Sequence, residues 1–303
     1  MRTEGRGWPP SDVLGAGEAA GALQRAGTDV RGEERRAGGW FRRSLLLVGG
    51  PLATAILFLG VWSLFSNVVL SEGQRFLLPP PLQVIEDGFL NWEHLQEVLL
   101  GTWATAKVAL LGLAIAIGVG MVLAVLMAQA RWVERSIYPY AVIVQTIPII
   151  ALVPLVGFQL GYSFTSRVLA CVLIAIFPII TNTLFGLLSA DASLHDLFSL
   201  HGASRLTRLW KLQLPGALPA IFTGFRISAG LSVIGAIVGD FFFRQGEQGV
   251  GRLIDVYRAQ LRSEELFTAI FFSSMLGVVV FLAFGYLAKR VTRSWHESAQ
   301  ERR

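Results

Sequence analysis

Cysteine is almost absent from this sequence. The 303 residues contain one cysteine, Cys171, so no disulfide bond can form within the chain. Cys171 lies in an apolar segment, where we expect a small residue that packs against lipid or another helix. Histidine is also scarce, and its four positions fall in polar segments without the spacing of metal ligands: His94, His195, His201 and His296. We therefore predict no metal site and no catalytic residues.

A second deficit is charge. Charged residues make up 16% of the chain, whereas soluble domains carry about 25%. Several apolar runs approach the roughly 20 residues that a transmembrane helix needs, and they do not alternate as the strands of a membrane barrel would. The composition predicts an all-α polytopic membrane protein. The net charge of +5 is then explained by arginines retained on the cytoplasmic side, and we expect no binding to nucleic acid.

The chain also lacks a phosphate-binding loop. No G-x-x-x-x-G-K-[ST] pattern occurs, and none of Lys107, Lys211 and Lys289 follows a glycine. Backbone N–H groups of such a glycine-rich loop cradle the phosphates of a nucleotide. The sequence therefore predicts that this chain does not itself bind ATP.

Residues 1–39 are rich in Gly, Ala, Arg and Glu and have almost no aliphatic clusters. They bury too little apolar surface to fold, so we predict a disordered cytoplasmic tail. Basic residues before the first apolar run hold this end in the cytoplasm. A transmembrane domain is predicted for residues 40–292, followed by a second cytoplasmic tail at 293–303.

Six apolar runs predict six transmembrane helices, at about residues 44–70, 99–128, 137–160, 167–188, 220–243 and 266–288. With both ends of the chain inside, the connections 131–135 and 191–219 also face the cytoplasm. Their basic residues agree with the positive-inside rule, whereas four arginines in the outer loop after the fifth run do not.

Polar side chains within the predicted spans mark a candidate solute path. Gln145, Thr146 and Asn182 lie inside apolar runs, where burial without a partner is costly. Asp240 lies at the end of the fifth run. Hydrogen bonds to neighbouring helices explain the first three equally well, and for Asp240 the alternative is an ion pair with Arg244.

The polar segment 191–219 has a specific internal pattern. Ser193 and Asp196 have capping-box spacing, which predicts a helix that begins near Leu194. Gly202 is expected to end that helix, because glycine most easily adopts a left-handed turn. From these features alone, an amphipathic loop on the membrane surface is an equally good interpretation.

A second short helix is predicted in the same segment. Ser204 can cap it from Arg205 onward, and Pro215 is expected to stop it. Pro219 is then predicted to open the fifth span as a first-turn proline. The segment therefore has the predicted order helix, turn, helix and stop.

Four residues of this segment resemble a known motif. Asp196, Gly202 and Leu214-Pro215 occur with the spacing of the EAA loop, by which permease subunits of binding-protein-dependent ABC importers contact their ATPase. Leu197 and Phe198 stand where that motif has two alanines. The resemblance implies a coupling loop that contains these residues and the neighbours of the glycine: Asp196, Leu197, Phe198, His201, Gly202, Ala203, Leu214 and Pro215.

Further stretches are similar to the nitrate, sulfonate and taurine subgroup of these importers: LLPPPLQVIEDGF, QTIPIIALVPLVGFQLG, FPIITNTLFGL and IGAIVGDFFF. The resemblance covers most of the chain from about residue 44. It implies a type I ABC importer-like bundle of about six helices in a bacterial inner membrane, in contact with lipid. The implied partners are a second copy of the chain, two cytoplasmic ABC ATPase subunits that bind ATP, and an extracytoplasmic solute-binding protein.

The implied function is import of a small organic or inorganic anion or a vitamin precursor such as a thiamine pyrimidine. ATP hydrolysis is expected on the separate subunit, so this chain is not expected to be an enzyme. The alternative is an ion-coupled secondary transporter, in which mid-membrane ionisable residues each cost roughly 2.5–3.5 kcal/mol to insert. No Asp, Glu or His lies in the central half of a predicted span, and Lys107, Arg167 and Arg226 lie towards span ends. This pattern favours the importer.

Overall fold

The computed structural model describes residues 49–243 and 246–292. The predicted tails, 1–39 and 293–303, lie outside the described residues, as does Arg244. In the part that is described, every regular element is helical, which confirms the predicted all-α fold. The helices are α1 (Gly49–Val69), α2 (Pro81–Gln83), α3 (Trp92–Gln129), α4 (Arg131–Thr146), α5 (Ile149–Leu160), α6 (Phe164–Leu188), α7 (Ala192–Leu200), α8 (Arg205–Arg208), α9 (Leu214–Phe242), α10 (Val250–Gln260) and α11 (Ser263–Thr292). A 3-10 segment covers Glu72–Leu77, and π-helical segments cover Phe65–Val69, Val84–Leu90 and Leu209–Gln213.

Helix α1 belongs to a unit of its own, because the chain divides after Val69 into two compact units. An 18-residue stretch of this 21-residue helix has a mean hydropathy of 1.9, which is typical of a membrane span and agrees with the first predicted run. The Asn67 amide donates to the backbone oxygen of Ser63 at 2.8 Å. This polar group therefore has a partner within its own helix, as a lipid environment requires.

The second unit is built on three long helices, α3, α6 and α9, which pack along one another. Small residues allow a close approach, because a Cβ added at Gly112 would overlap the side chain of Cys171, and one at Gly120 would crowd Ile179. Van der Waals contact of this kind holds helices together in lipid. Cys171 is fully buried, which confirms its predicted packing role.

The third predicted span is broken. Helices α4 and α5 meet at an angle of 101° across Ile147 and Pro148. Pro148 has no N–H to donate and disfavours the α conformation in the residue before it, and Ile147 accordingly has φ −69° and ψ 124°. Within the described ranges there are five uninterrupted helices of membrane-spanning length, and six spans if the bent pair counts as one. The predicted number of six is therefore consistent with the structure.

The start of the fifth span differs from the prediction. Pro215 does not stop a helix and Pro219 does not open one, so both predictions are wrong. Helix α8 continues through the π-helical segment Leu209–Gln213 into α9, which has Pro215 in its first turn and Pro219 inside it. The wider π-helical turn accommodates the missing N–H of Pro215 without ending the helix. One continuous helical path therefore joins Arg205 to Phe242.

Candidate functional site

Helix α7 carries the first half of the candidate coupling loop. Its N-cap is Asp191, whose carboxylate accepts a hydrogen bond from the backbone N–H of Ser193 at 3.1 Å. The prediction that Ser193 caps this helix is therefore wrong, because an aspartate two positions earlier supplies the acceptor. The nine residues of the helix include Asp196, Leu197 and Phe198.

Gly202 ends α7 as predicted. Its φ of +64° lies in the left-handed region, where a residue with a Cβ is strained. The N–H of Gly202 donates to the Ser199 oxygen at 3.0 Å, and the N–H of Ala203 donates to the Phe198 oxygen at 2.9 Å. These two bonds form a Schellman motif, which fixes the direction in which the chain leaves the helix.

The turn is bound to α8. The Ser204 hydroxyl accepts a hydrogen bond from the N–H of Thr207 at 3.2 Å, which confirms the predicted cap. The Arg208 guanidinium donates from Nε and Nη2 to the Ala203 oxygen, both at 3.2 Å. Leu209, which follows α8, is buried in a cluster with three residues of α6 and α9: Leu187, Ala217 and Ile221. The loop is therefore connected to the bundle by packed side chains as well as by the chain.

The outward surface of this loop combines apolar side chains with an acid. Leu200 is 86% exposed and Leu197 is 48% exposed, and Asp196 is exposed on the same short helix. Exposed large apolar side chains mark a surface for another protein or for the membrane. Six of the eight predicted coupling residues lie together on α7 and its turn: Asp196, Leu197, Phe198, His201, Gly202 and Ala203. Leu214 and Pro215 lie in a different element, the first turn of α9.

A cavity of about 330 Å³ opens where α4 and α5 meet. Two of the predicted solute-path residues, Gln145 and Thr146, line it. The other lining residues are apolar and include Pro148 in the break, Pro178 of α6 and Leu231 of α9. A broken helix leaves backbone groups without helical partners, which membrane proteins tolerate where the backbone lines a cavity. The break in the third span and the cavity are therefore parts of one feature.

Hydrogen bonds within their own helices occupy two of the predicted polar side chains. The Thr146 hydroxyl donates to the Ile143 oxygen at 2.8 Å, and the Asn182 amide donates to the Pro178 oxygen at 2.8 Å. Asn182 thus lies one turn from the cavity wall at Pro178. Gln145 is exposed at the cavity.

The fourth predicted solute-path residue, Asp240, lies elsewhere. It is fully buried in α9, where its carboxylate accepts hydrogen bonds from Arg167 Nη1 at 3.0 Å and from the Thr105 hydroxyl at 2.5 Å. Arg167 lies in the first turn of α6, towards the span end as predicted, but its side chain is buried there. The alternative partner of Asp240, Arg244, lies outside the described residues.

Sequence reasoning missed the pair of Arg167 and Asp240, which are 73 positions apart. A signal was nevertheless present in the topology. The fourth run begins, and the fifth run ends, on the same side of the membrane, which places the two opposite charges at one end of the bundle. An ion pair between two spans could have been predicted on that basis.

A second ion pair lies at the same end of the bundle and is exposed. The Lys107 ammonium is 2.5 Å from the Glu247 carboxylate. The hydrogen bond from Lys107, followed by the charge of its ammonium group, lowers the pKa of Glu247. Exposed pairs of this kind contribute little to stability, so this contact adds little to the stability of the fold.

The sequence matches a family of transport proteins. A family model described as "Binding-protein-dependent transport system inner membrane component" matches residues 116–293. The chain is 35% identical over 235 residues to a formylaminopyrimidine transport permease protein of Halalkalibacterium halodurans, which covers 77% of this chain and 90% of that protein. It is 31% identical over 256 residues to a riboflavin transport system permease protein of Chloroflexus aurantiacus, and the match covers 82% of this chain and 91% of that protein. It is 26% identical over 260 residues to a taurine transport system permease protein of Escherichia coli, and the match covers 82% of this chain and 90% of that protein.

The fold is similar to that of a solved transporter. An inward-facing structure of the MetNI methionine ABC transporter matches with a TM-score of 0.58 at 17% sequence identity, covering 67% of this chain and 99% of that chain. At this identity the likeness shows the fold alone, which is the predicted type I ABC importer fold. The family match decides against the ion-coupled secondary transporter. The chain belongs to the inner membrane components of binding-protein-dependent transport systems and is the permease subunit of an ABC importer.

Proposed function

We propose that two copies of this chain form the solute path. Each copy contacts one ABC ATPase subunit through α7 and the turn at Gly202. An extracytoplasmic binding protein delivers the solute. ATP binds and is hydrolysed on the ATPase subunits, and this chain holds no cofactor. One observation carries the proposal. An exposed apolar loop is fixed by a Schellman motif to a helical path that runs unbroken into span α9.

A movement of α7 reaches the cavity through packed residues. Leu209 is buried with Leu187 of α6 and with residues at the start of α9. Both spans line the cavity, α6 with Leu173, Ile174 and Pro178 and α9 with Leu231. When the ATPase dimer closes on α7, both walls are displaced, because packed interfaces shift between discrete arrangements. The cavity then opens to the other side of the membrane as a population shift between two states.

We place this loop in the cytoplasm. Five basic residues lie in α8, in the π-helical segment after it and at the end of α11: Arg205, Arg208, Lys211, Lys289 and Arg290. The positive-inside rule assigns such residues to the cytoplasmic side. Both tails, 1–39 and 293–303, then lie in the cytoplasm. The transmembrane domain between them, 40–292, lies in the lipid of a bacterial inner membrane.

The chemistry of the cavity favours a neutral solute over an anion. None of the described residues that line it carries a charge, and Gln145 offers both donors and an acceptor. An anion would enter without a cationic partner, which is costly away from water. Arg226 does not line this cavity; its guanidinium lies 4.0 Å from the centre of the Phe281 ring of α11. We therefore propose a heteroaromatic vitamin precursor, in line with the formylaminopyrimidine and riboflavin named for the two relatives above 30% identity.

Uptake into proteoliposomes tests the proposal. The permease is reconstituted with its ATPase and its binding protein, and uptake of a radiolabelled aminopyrimidine is compared with uptake of taurine and nitrate. We expect uptake of the heteroaromatic compound that depends on ATP and on the binding protein. Uptake without the ATPase would contradict the coupling role, and uptake of the anions alone would contradict the proposed solute class.

A pair of variants on α7 tests the docking surface in the same assay. Asp196→Arg reverses the exposed charge beside Leu197, and we expect it to abolish both uptake and stimulated ATP hydrolysis. Ser199→Ala is the matched control, because the Ser199 hydroxyl donates only locally, to the His195 oxygen at 2.8 Å. Normal coupling in Asp196→Arg would show that the ATPase docks elsewhere.

A further inference from the structure

The segment Gly246–Gly251 follows span α9 and contacts three spans at their outer ends. Arg167 of α6 and Asp240 of α9 form a buried ion pair against it, and Thr105 of α3 donates its hydroxyl hydrogen to the Asp240 carboxylate. Contacts between these side chains therefore join α3, α6 and α9 at one level of the bundle.

The same side chains hold the backbone of the segment. Arg167 Nη1 donates to the Glu247 oxygen at 3.2 Å, and the Val250 N–H donates to the Thr105 hydroxyl oxygen at 2.8 Å. A buried ion pair offsets its desolvation only when further hydrogen bonds satisfy its polar atoms. The segment therefore completes the hydrogen bonding of the pair, and the pair fixes the position of the segment.

Glycine allows this close contact. A Cβ added at Gly249 would overlap the carboxylate of Asp240, and one at Gly251 would overlap the backbone oxygen of Ile237. Only hydrogen at these two positions lets the backbone lie directly on α9. A side chain at Gly249 would push the segment away from the ion pair.

Several features indicate that the contact can be released. Gly246, Glu247 and Gln248 are exposed, so another protein can reach them. The outermost link, from Lys107 to Glu247, is an exposed ion pair, which is weak. Among the described residues the buried Arg167 Nε has no hydrogen-bond partner, so within that part of the chain one donor is unsatisfied.

We propose that Gly246–Gly251 is a latch, which holds the outer ends of α3, α6 and α9 together until docking of the solute-binding protein releases it and lets solute enter. The proposal rests on the proposed importer function and on the outward orientation of this end. A docked protein can replace the backbone hydrogen bonds of Glu247 and Val250 with its own polar groups. Release removes two of the hydrogen bonds that Arg167 and Thr105 make, which weakens the link between the three spans at the solute entrance.

A reversible crosslink tests whether the latch must move. In a Cys171→Ala background, Lys107→Cys and Glu247→Cys are linked by a bifunctional methanethiosulfonate reagent in proteoliposomes that contain the complete importer. We expect uptake to fall about tenfold or more, as for a coupling free energy of allosteric size, and to return after reduction with dithiothreitol. Undiminished uptake, with the crosslink verified by mass spectrometry, would overturn the proposal.

The matched control crosslink lies on α10. Asp255 and Arg258 form an ion pair at 2.9 Å within one helix, so Asp255→Cys and Arg258→Cys can be linked by the same reagent without joining two spans. We expect this crosslink to leave uptake unchanged. If it blocked uptake equally, the cause would be obstruction of docking, and the latch would be wrong.

Gln248→Cys separates a failure of the latch from a failure of the proposed orientation. Gln248 is exposed, so a membrane-impermeant maleimide should label the cysteine from outside right-side-out vesicles. Labelling from outside together with a crosslink that does not block uptake would overturn the latch and leave the importer function intact. Labelling only after the membrane is opened would overturn the orientation and the latch with it.

Discussion

The guanidinium of Arg167 lies 3.0 Å from the carboxylate of Asp240, although Arg167 is 2% exposed and Asp240 is 0% exposed. Charges within membrane-spanning helices are rare because they are costly away from water. Here each charge compensates the other, and further hydrogen bonds come from Thr105 and go to the backbone of Glu247. The pair is therefore an internal link between α6 and α9 that fixes how these spans meet.

Removing the two charges separately should cost more stability, summed over the two single variants, than removing both charges together. Arg167→Met and Asp240→Asn each leave a buried charge without its partner, at a cost of about 3–5 kcal/mol. The double variant leaves no buried charge, so its loss should be well below the sum of the single losses. Thermal unfolding of the detergent-solubilised protein measures this difference. Additive losses would show that the two side chains are not coupled.

Substitutions of Gly202 should be ordered by their tolerance of left-handed backbone. Apart from its two chain neighbours, no described residue has an atom within 4 Å of a Cβ built there, so size matters less than φ, which is +64°. Gly202→Ala should cost about 1–2 kcal/mol of local stability, and Gly202→Asn should cost less. Stimulated ATP hydrolysis in the reconstituted importer should fall in the same order. Equal losses for the two variants would indicate that the glycine contacts the ATPase directly.

Local chemistry was enough to predict the number of spans and the turn of the coupling loop. The length of an apolar run decides whether it spans a membrane, and α6 begins and ends within three residues of its predicted bounds, 167–188. The left-handed Gly202 and the cap at Ser204 depend on backbone groups a few residues away. The coupling role of these residues stays a prediction.

Features that depend on contacts between distant elements were harder to predict. Local chemistry predicts a helix stop at Pro215, but the π-helical turn before it carries the helix onward. Leu209 in that turn is buried against the bundle, and tertiary packing of this kind is not visible in a local pattern. Arg167 is likewise buried beside partners that are distant in sequence, since Asp240 and Glu247 lie 73 and 80 positions away.

Tyr257 of α10 should make stability decrease in alkali. Its hydroxyl donates to Glu97 at 2.8 Å, and burial, followed by this hydrogen bond, raises the pKa of Tyr257 above its ordinary value of 10.0. The folded protein holds the proton more tightly than the unfolded chain. The contribution of Tyr257 to the free energy of unfolding is therefore complete below pH 10 and is lost as the pH rises above it.

Tyr257→Phe should lose about 1 kcal/mol at neutral pH, the value of a typical hydrogen bond, and should show a smaller alkaline decline than the unaltered protein. Unfolding midpoints measured from neutral to alkaline pH test both expectations. Glu97→Gln keeps an acceptor oxygen and should lose less at neutral pH. An identical alkaline decline in Tyr257→Phe would assign the pH dependence to other groups.

Leu209 should be needed for coupling more than for ATP hydrolysis. Leu209→Ala removes a buried contact of a type worth about 2–5 kcal/mol, and so loosens the connection between α8 and α6. We expect solute uptake per ATP hydrolysed to fall while hydrolysis continues. Lys211→Ala, an exposed position in the same π-helical segment, is the matched control. A parallel loss of uptake and hydrolysis would indicate failed assembly instead.

Gln145 should contribute to solute passage, whereas its neighbour Thr146 should not. Gln145→Leu removes both donors and the acceptor from the cavity wall, and a lost hydrogen bond of about 1.4 kcal/mol corresponds to a tenfold fall in uptake. Gln145→Asn keeps the amide and should retain more uptake. The Thr146 hydroxyl already donates to the Ile143 oxygen, so Thr146→Val should leave uptake nearly unchanged. The binding protein is the same in every assay, so differences in uptake arise in the permease. Equal effects of Gln145→Leu and Thr146→Val would mean that both side chains serve helix packing and that the solute passes elsewhere.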